Sequence, residues 1–521
     1  MTATTRTRPS GGERPARERA TPTRHESGPR FQGPAWLDGP MTSSHLVLGS
    51  AGLLLAIGLV MVFSASSIEA ALADEPAWAP GVKQVALACA GLVGMFAALR
   101  MPAGFLRRWS PIALLAGVAL LVLVLIPGIG AELNGARQWI DLGITYFQPS
   151  EMAKLVFALW GAHVLALRER YLTTTSLLVP VLPVFGVLSL LLIAEPDFGA
   201  VVSLGLVLMG LLWGGGMPLR WFGWFLAAAA VLMAVMVKLA PYRMARITAF
   251  LDPFADPTDG GFQAIRGMYA LATGGLWGVG LGNSAMKWNL LPHAESDYIF
   301  AIIGEELGFL GCLVVVTLYG VLAWARFRIA RRSADRCNPL ASVAITVWLV
   351  GQAAMNMGYV VGLLPVTGVQ LPLISAGGTS LVLTLFIVGL LARFARSEPA
   401  AIEAQRGQSR GRVARFLLPV PAAAVDPVRL HRRAEERAPA RPAGGARTVL
   451  RTRSAPSRPD APRAAASRAT PPRGAAAAEP APARDRAVPP RERRPAGNGA
   501  RAAGRRQQPP SGAPRRPGGS R

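Results

Sequence analysis

The sequence predicts an all-α, polytopic integral membrane protein of about ten transmembrane helices, and three observations carry that reading. The 521 residues are 51% hydrophobic at a mean hydropathy of +0.34 although both ends are plainly polar, so the middle is far more apolar than the average. That middle resolves into apolar runs close to the roughly 18–25 residues a bilayer requires. The basic residues, finally, fall in alternate loops, as they do when one face of a membrane domain stays in the cytoplasm.

Ten spans follow in order, at about 45–64, 82–100, 110–127, 150–167, 177–194, 198–214, 219–239, 298–324, 340–362 and 373–394. The fifth and sixth are separated only by Glu195-Pro196-Asp197; fused, they would make nine spans and place the tails on opposite sides. The loop charges decide for ten. A cytoplasmic N-terminus puts Arg100, Arg107 and Arg108 inside, then Arg168 and Arg170, then Arg220, then Arg326, Arg328, Arg331, Arg332 and Arg336. Glu69, Asp74 and Glu75 fall outside. Both termini are then cytoplasmic. The first apolar segment, near Leu46, has no small-residue cleavage site after it and reads as a retained helix.

Residues 1–40 form a polar arm, 41–397 the membrane domain, and 398–521 a tail of Arg, Pro, Ala and Gly. Neither end has the composition to bury a core, and both are expected to be disordered. The net charge of +25 is concentrated in the C-terminal tail, which suits anionic membrane lipid or acidic protein segments; nucleic acid is the lesser fit. Cys89, Cys312 and Cys337 belong to no CxxC pair or His cluster, so neither a metal site nor a disulfide framework is indicated. The extracytoplasmic loop between spans 7 and 8, about 241–297, is too long for a plain connection. Its Phe250, Phe254, Phe262, Tyr269 and Trp277 predict short amphipathic helices on the outer leaflet.

Asp297 stands where this loop meets the eighth span. Two readings apply: an acid capping the first turn of a helix, or a base at the water–lipid boundary. Neighbouring acids and partial desolvation raise a carboxyl's pKa toward the range of a general base, and Glu295, Glu305 and Glu306 are close in sequence. Glu305 and Glu306 are adjacent acids in an apolar span, where charge faces a cavity or a cationic partner. Glu151 and Lys154, spaced i,i+3 at the start of the fourth span, are either an internal salt bridge or part of a site. Arg137, Arg243, Arg246 and Lys287 are outward cations suited to a phosphate or to interfacial anchoring. The glycines from Gly274 to Gly282 follow no strand, so a dinucleotide loop is excluded; close backbone approach explains them better. Pro365 to Thr379 breaks the helical pattern at membrane depth, which bilayers tolerate only beside protein or a wet cavity. Thr367, Ser375 and Thr379 supply hydroxyls there.

Taken together, WGVGLGNSAMKWNLLPHAESDYIFAIIGEELGFLG from Trp277, LLPVTGVQLPLISAGGTSL from Leu363, the GARQW of Gly135–Trp139, QPSEMAK from Gln148 and YRMARITAFLDPFAD from Tyr242 resemble the SEDS family of peptidoglycan glycosyltransferases. The resemblance covers the membrane domain and not the tails. It departs from the family pattern at Glu195, Met286 and Glu295. It implies inverting polymerisation of lipid II into β-1,4 glycan strands, with Asp297 as catalytic base and undecaprenyl pyrophosphate as leaving group. The charged residues and hydroxyls named above would line the substrate site. A divalent cation, Mg or Mn, is compatible with carboxylates beside a pyrophosphate, but no residue set marks a metal site. The wording LISAGGTS, Gln370 and the basic tail lean toward the division member of the family over its elongation relative. A class B penicillin-binding protein transpeptidase is the implied partner, with divisome proteins, FtsZ among them, reached through the tail. The implied location is the cytoplasmic membrane at the septum. Two other classes compete: a lipid II flippase, which would keep its key charges near the midplane, and a division scaffold without chemistry.

Overall fold

The computed structural model describes residue 2 and residues 39–421, except 134–135, 144, 169–173, 240–249, 258–260, 289, 334, 408–410 and 412–417. The chain divides into units 1–441 and 442–521, and the second lies outside the described residues. The first is a helical bundle. Its helices are α1 Thr42–Leu72, α2 Ala79–Arg100, α3 Ala103–Val124, α4 Pro149–Leu167, α5 Thr174–Ala194, α6 Phe198–Gly214, α7 Leu219–Leu239, α8 Phe262–Gly274, α9 Ile299–Arg332, α10 Cys337–Val360, α11 Thr379–Arg396 and α12 Pro399–Gly407. Among the described residues eight are long and apolar enough to cross a membrane, namely α1 to α5 and α9 to α11. The sixth expected span is the shorter apolar helix α6, of 17 residues, and the seventh coincides with α7. The protein is a multi-pass membrane protein. Leu53, Val93, Leu115 and Leu190 are exposed on its flanks, as residues that face lipid are.

The ends of the helices are written in the sequence. Pro149 opens α4, where a missing N–H costs nothing. Asp197 caps α6 by accepting from the Ala200 N–H at 2.8 Å, so the Glu195-Pro196-Asp197 step separates two helices. α2 packs on α11, α6 on α10, α1 on α9 and α3 on α4.

Two features depart from the plain helical expectation. The loop between α3 and α4 folds into an antiparallel sheet, β1 Gly130–Leu133, β2 Ala136–Asp141 and β3 Tyr146–Phe147, in the order β1-β2-β3. And α12 lies where the tail was expected to begin, with Gln405 accepting from the Arg396 guanidinium at 2.8 Å.

The glycine-rich run acquires a clear job. α9 is broken at Gly308, whose φ of 69° leaves the carbonyls of Glu305 and Glu306 and the N–H groups of Phe309 and Leu310 outside the helical ladder. Residues 275–280 run alongside and satisfy all four. Val279 N–H donates to Glu305 O at 2.9 Å and Gly280 N–H to Glu306 O at 3.0 Å. Gly275 O and Leu276 O accept from Phe309 and Leu310 at 2.9 and 3.4 Å. At membrane depth an open backbone group costs several kcal/mol, so a broken helix needs such a partner strand. A side chain at Gly278 (φ 81°) would strike the Glu306 carbonyl, which restricts the position to glycine.

Candidate functional site

Asp297 ends a turn built on His293, whose backbone is left-handed (φ 58°) and whose carbonyl accepts from the N–H groups of Ser296, Asp297 and Tyr298. The three carbonyls that follow are each held from elsewhere. Glu295 O accepts from Ala376 N–H at 2.9 Å and Ser296 O from the Ser375 hydroxyl at 2.6 Å. Asp297 O accepts from Asn356 Nδ2 at 2.9 Å and from the Tyr359 hydroxyl at 2.7 Å. The non-helical segment between α10 and α11 is thereby stitched to the turn that carries Asp297. The Asp297 carboxylate faces Gly368: Oδ2 is 3.6 Å from where a Cβ on that glycine would lie.

Gly368 belongs to the wall of an open cavity of about 440 Å³, counting its solvent-facing mouth. The cavity is polar. Lys154 Nζ donates to Glu151 Oε1 at 2.7 Å and lies 5.0 Å from the centre of the Trp348 ring. Asp197 accepts from Gln148 Nε2 at 3.1 Å and from the Ser150 hydroxyl at 3.4 Å. Burial raises the Asp197 pKa, while the Ala200 N–H and Lys154 oppose the rise. Gln138, Trp139, Gln352 and Gln370 complete the polar lining. Behind it Glu195 is fully buried, and burial followed by the nearby Asp197 pushes its carboxyl up to about 8. Both causes favour the neutral form of Glu195 over its carboxylate.

Glu151 and Lys154 thus stand together on the cavity, with Asp297 at the neighbouring wall. The other expected residues are placed differently. Lys287, expected as an outward cation, is corrected: its side chain is 2% exposed and donates to Glu306 at 3.1 Å and to Ser64 at 3.2 Å. Glu305, expected beside the reacting groups, instead accepts from the Ser284 hydroxyl and from Ala285 N–H at 3.0 Å. Glu305 and Glu306 hold the 284–287 segment against the broken helix; neither lines the cavity. Arg137 pairs with Glu132 across the β1–β2 ladder at 3.1 Å, while its neighbours Gln138 and Trp139 reach the cavity. The Thr367 hydroxyl is buried without a hydrogen-bond partner, Ser375 is spent on Ser296, and Thr379 ties α11 to β3 by donating to Tyr146 O at 3.0 Å. Arg243 and Arg246 lie outside the described residues. Among the described residues no group of three or more His, Cys, Asp or Glu side chains is placed to hold a metal ion.

Asp197 and Gln148 stand in segments that the sequence singles out but were not expected as site residues, and Asn356 was not singled out at all. Asn356 had a usable signal: with Gln352 it forms an i,i+4 pair of amides on one face of an otherwise apolar span.

Comparison with known proteins places the chain in a family. Residues 44–399 match the family described as "Cell cycle protein", that of FtsW, RodA and SpoVE. A protein of Mycobacterium tuberculosis named "Probable peptidoglycan glycosyltransferase FtsW" is 45% identical over 433 residues, 83% of each chain. Stage V sporulation protein E of Bacillus subtilis is 37% identical over 349 residues, 66% of this chain and 94% of its own. Among solved structures, a chain from a study of the coordination of polymerization and crosslinking by a peptidoglycan synthase complex superposes with a TM-score of 0.57. It is 27% identical and covers 68% of this chain and 97% of its own. The rod shape determining protein RodA of Thermus thermophilus gives a TM-score of 0.52 at 26% identity, over 70% of this chain and 99% of its own. This chain belongs to the FtsW/RodA/SpoVE family.

Proposed function

We propose that this protein is a peptidoglycan glycosyltransferase of the division type, polymerising lipid II into β-1,4 glycan strands at the outer face of the cytoplasmic membrane. One observation carries the reading: a carboxylate, Asp297, is held through its own backbone so that it faces Gly368, one of the residues that line a polar cavity together with Glu151, Lys154 and Asp197. In the proposed reaction the acceptor sugar's 4-hydroxyl gives its proton to Asp297 and its oxygen bonds to the anomeric carbon of the lipid-linked donor. The bond from that carbon to the pyrophosphate oxygen breaks, with inversion, and undecaprenyl pyrophosphate departs with the electron pair. Lys154, held by Glu151, supplies positive charge on the cavity side. Arg137, Arg243 and Arg246 are the proposed outer contacts for the pyrophosphate. Thr367, Ser375 and Thr379 act by shaping the wall that Gly368 belongs to. No step is routed through a metal ion.

The relative named FtsW favours a septal role over elongation. A solved relative works within a synthase complex that couples polymerization to crosslinking, which supports a class B penicillin-binding protein as partner. Divisome proteins such as FtsZ, and anionic lipid, are the proposed contacts of the tail. The test is polymerisation of purified lipid II by the purified protein, with and without that transpeptidase. Glycan strands that require the partner are expected. Rapid transbilayer movement of labelled lipid II in vesicles, with no polymer even beside the partner, would make the protein a flippase.

A further inference from the structure

The Asp297 carbonyl sits at the start of α9 but is not used by that helix, since Ala301 N–H donates to Tyr298 O at 2.9 Å. It is taken by two side chains of α10 that are themselves almost wholly buried, Asn356 at 0% and Tyr359 at 1% exposure. The same two groups reach Val369 O, at 2.8 Å from Asn356 Nδ2 and 3.0 Å from the Tyr359 hydroxyl. They also contact one another at 2.6 Å. Both targets are carbonyl oxygens, so only the NH₂ end of the Asn356 amide can serve them, and its orientation is fixed by chemistry. Asn356 Oδ1 has no hydrogen-bond partner, so the amide is committed wholly to donation. Three protons, two on the amide and one on the phenol, serve two carbonyls and the phenol oxygen. One amide proton goes to the phenol oxygen, and the second amide proton and the phenol proton take the two carbonyls between them, so all three protons are needed.

The consequence is geometric. One carbonyl belongs to Asp297; the other belongs to the residue after Gly368, the glycine that its carboxylate faces. The pair of side chains therefore sets the spacing between the carboxylate and the cavity wall.

We propose that Asn356 and Tyr359 are positioning residues for the transfer reaction, a buried clamp that holds Asp297 at the height where an acceptor hydroxyl meets it. This rests on Asp297 acting as the base. Neither residue touches substrate; each acts through the backbone of Asp297 and Val369. Tyr359→Phe deletes one donor and keeps the ring that packs edge-on against Tyr298 at 5.6 Å, so the fold should survive. Asn356→Ala deletes two donors.

The experiment is a double-mutant cycle on full-length protein in complex with its transpeptidase, reading kcat and KM for lipid II, with Tm as a fold control. Tyr359→Phe should lower kcat about 10- to 100-fold, the scale of a misplaced reacting group, with KM changed less than threefold. In the Asp297→Asn background the same change should cost less than threefold, because there is no base left to misplace. A merely structural role would instead give losses that multiply and would lower Tm in step with activity; either result overturns the clamp. Should Asn356→Ala fail to fold, Tyr359→Phe alone decides. If Asp297→Asn is inactive while Tyr359→Phe matches wild type, only the clamp falls. If Asp297→Asn itself polymerises normally, the base assignment fails and the clamp falls with it.

Discussion

Two lysine–glutamate pairs lie within the membrane domain of this protein, and they differ in what stands beside them. Lys154 donates to Glu151 at 2.7 Å and Lys287 to Glu306 at 3.1 Å, and each lysine side chain is only 2% exposed. Burial of the cation does not separate them. Glu151 is 15% exposed, on the wall of an open cavity, whereas Glu306 is 0% exposed and also accepts from the Ser64 hydroxyl. The first pair can exchange a partner for a ligand or water. The second is a staple, holding the 284–287 segment against α9. Charge inside a membrane domain marks a site only where a cavity adjoins it; elsewhere it meets the cost of irregular backbone.

The largest effect that would break this contrast is on the sealed pair. Lys287→Ala strands Glu306 as an unpaired buried charge, which costs about 3–5 kcal/mol, and the yield of folded protein should collapse. Lys287→Met combined with Glu306→Leu removes both charges and should restore much of the fold and the polymerisation. Thermal unfolding of the purified variants checks both. A well-folded Lys287→Ala protein that only binds lipid II less tightly would return Lys287 to the substrate site.

Lys154→Ala comes next. Glu151 can take water from the cavity, so Tm should change little. A lost charged hydrogen bond of about 1.5–3 kcal/mol should instead appear as a drop of roughly 10- to 150-fold in kcat/KM for lipid II. A Tm loss equal to that of Lys287→Ala would erase the distinction between the two pairs.

The smallest effect sharpens the contrast at the outer edge. Burial raises the Glu295 carboxyl to about 6; its own backbone N–H opposes this, the adjacent Glu69 adds to it, and His293 opposes it. The folded protein thus binds this proton more tightly than the unfolded chain. The stability it contributes is full below about pH 4.5 and is lost as pH rises through about 6. Glu295→Gln should flatten that slope and raise Tm by a few degrees at pH 7–8. A pH profile of Tm unchanged by the substitution would mean that Glu295 does not carry this pH dependence.

The helical bundle was legible because a bilayer imposes length and apolarity on every crossing. The sheet of residues 130–147 was not, since its strands are short and the bulge between Ala131 and Glu132 interrupts their alternation. In the candidate site, Asp297, Glu151 and Lys154 drew attention because a charge at a span's edge is costly and conspicuous. Lys287, Glu305 and Glu306 were misplaced for the same reason. Proximity in sequence to Asp297 says nothing about which way a charge faces: Lys287 pairs with Glu306, Glu305 holds Ser284 and Ala285, and none of the three lines the cavity. Asn356 and Tyr359 escaped notice because neutral polar groups inside a span cost little once hydrogen-bonded. Their partners, the carbonyls of Asp297 and Val369, are 59 and 13 residues away for Asn356.

Whether Asp297 is the base can be decided by comparing Asp297→Asn with wild type in lipid II polymerisation by the purified protein and its partner transpeptidase. Asparagine keeps the shape and the backbone contacts but cannot take the acceptor's proton. The expected result is a rate reduced on the order of 100-fold or more, with lipid II affinity and Tm unchanged. Glycan strands formed at the wild-type rate by well-folded Asp297→Asn protein would contradict the assignment.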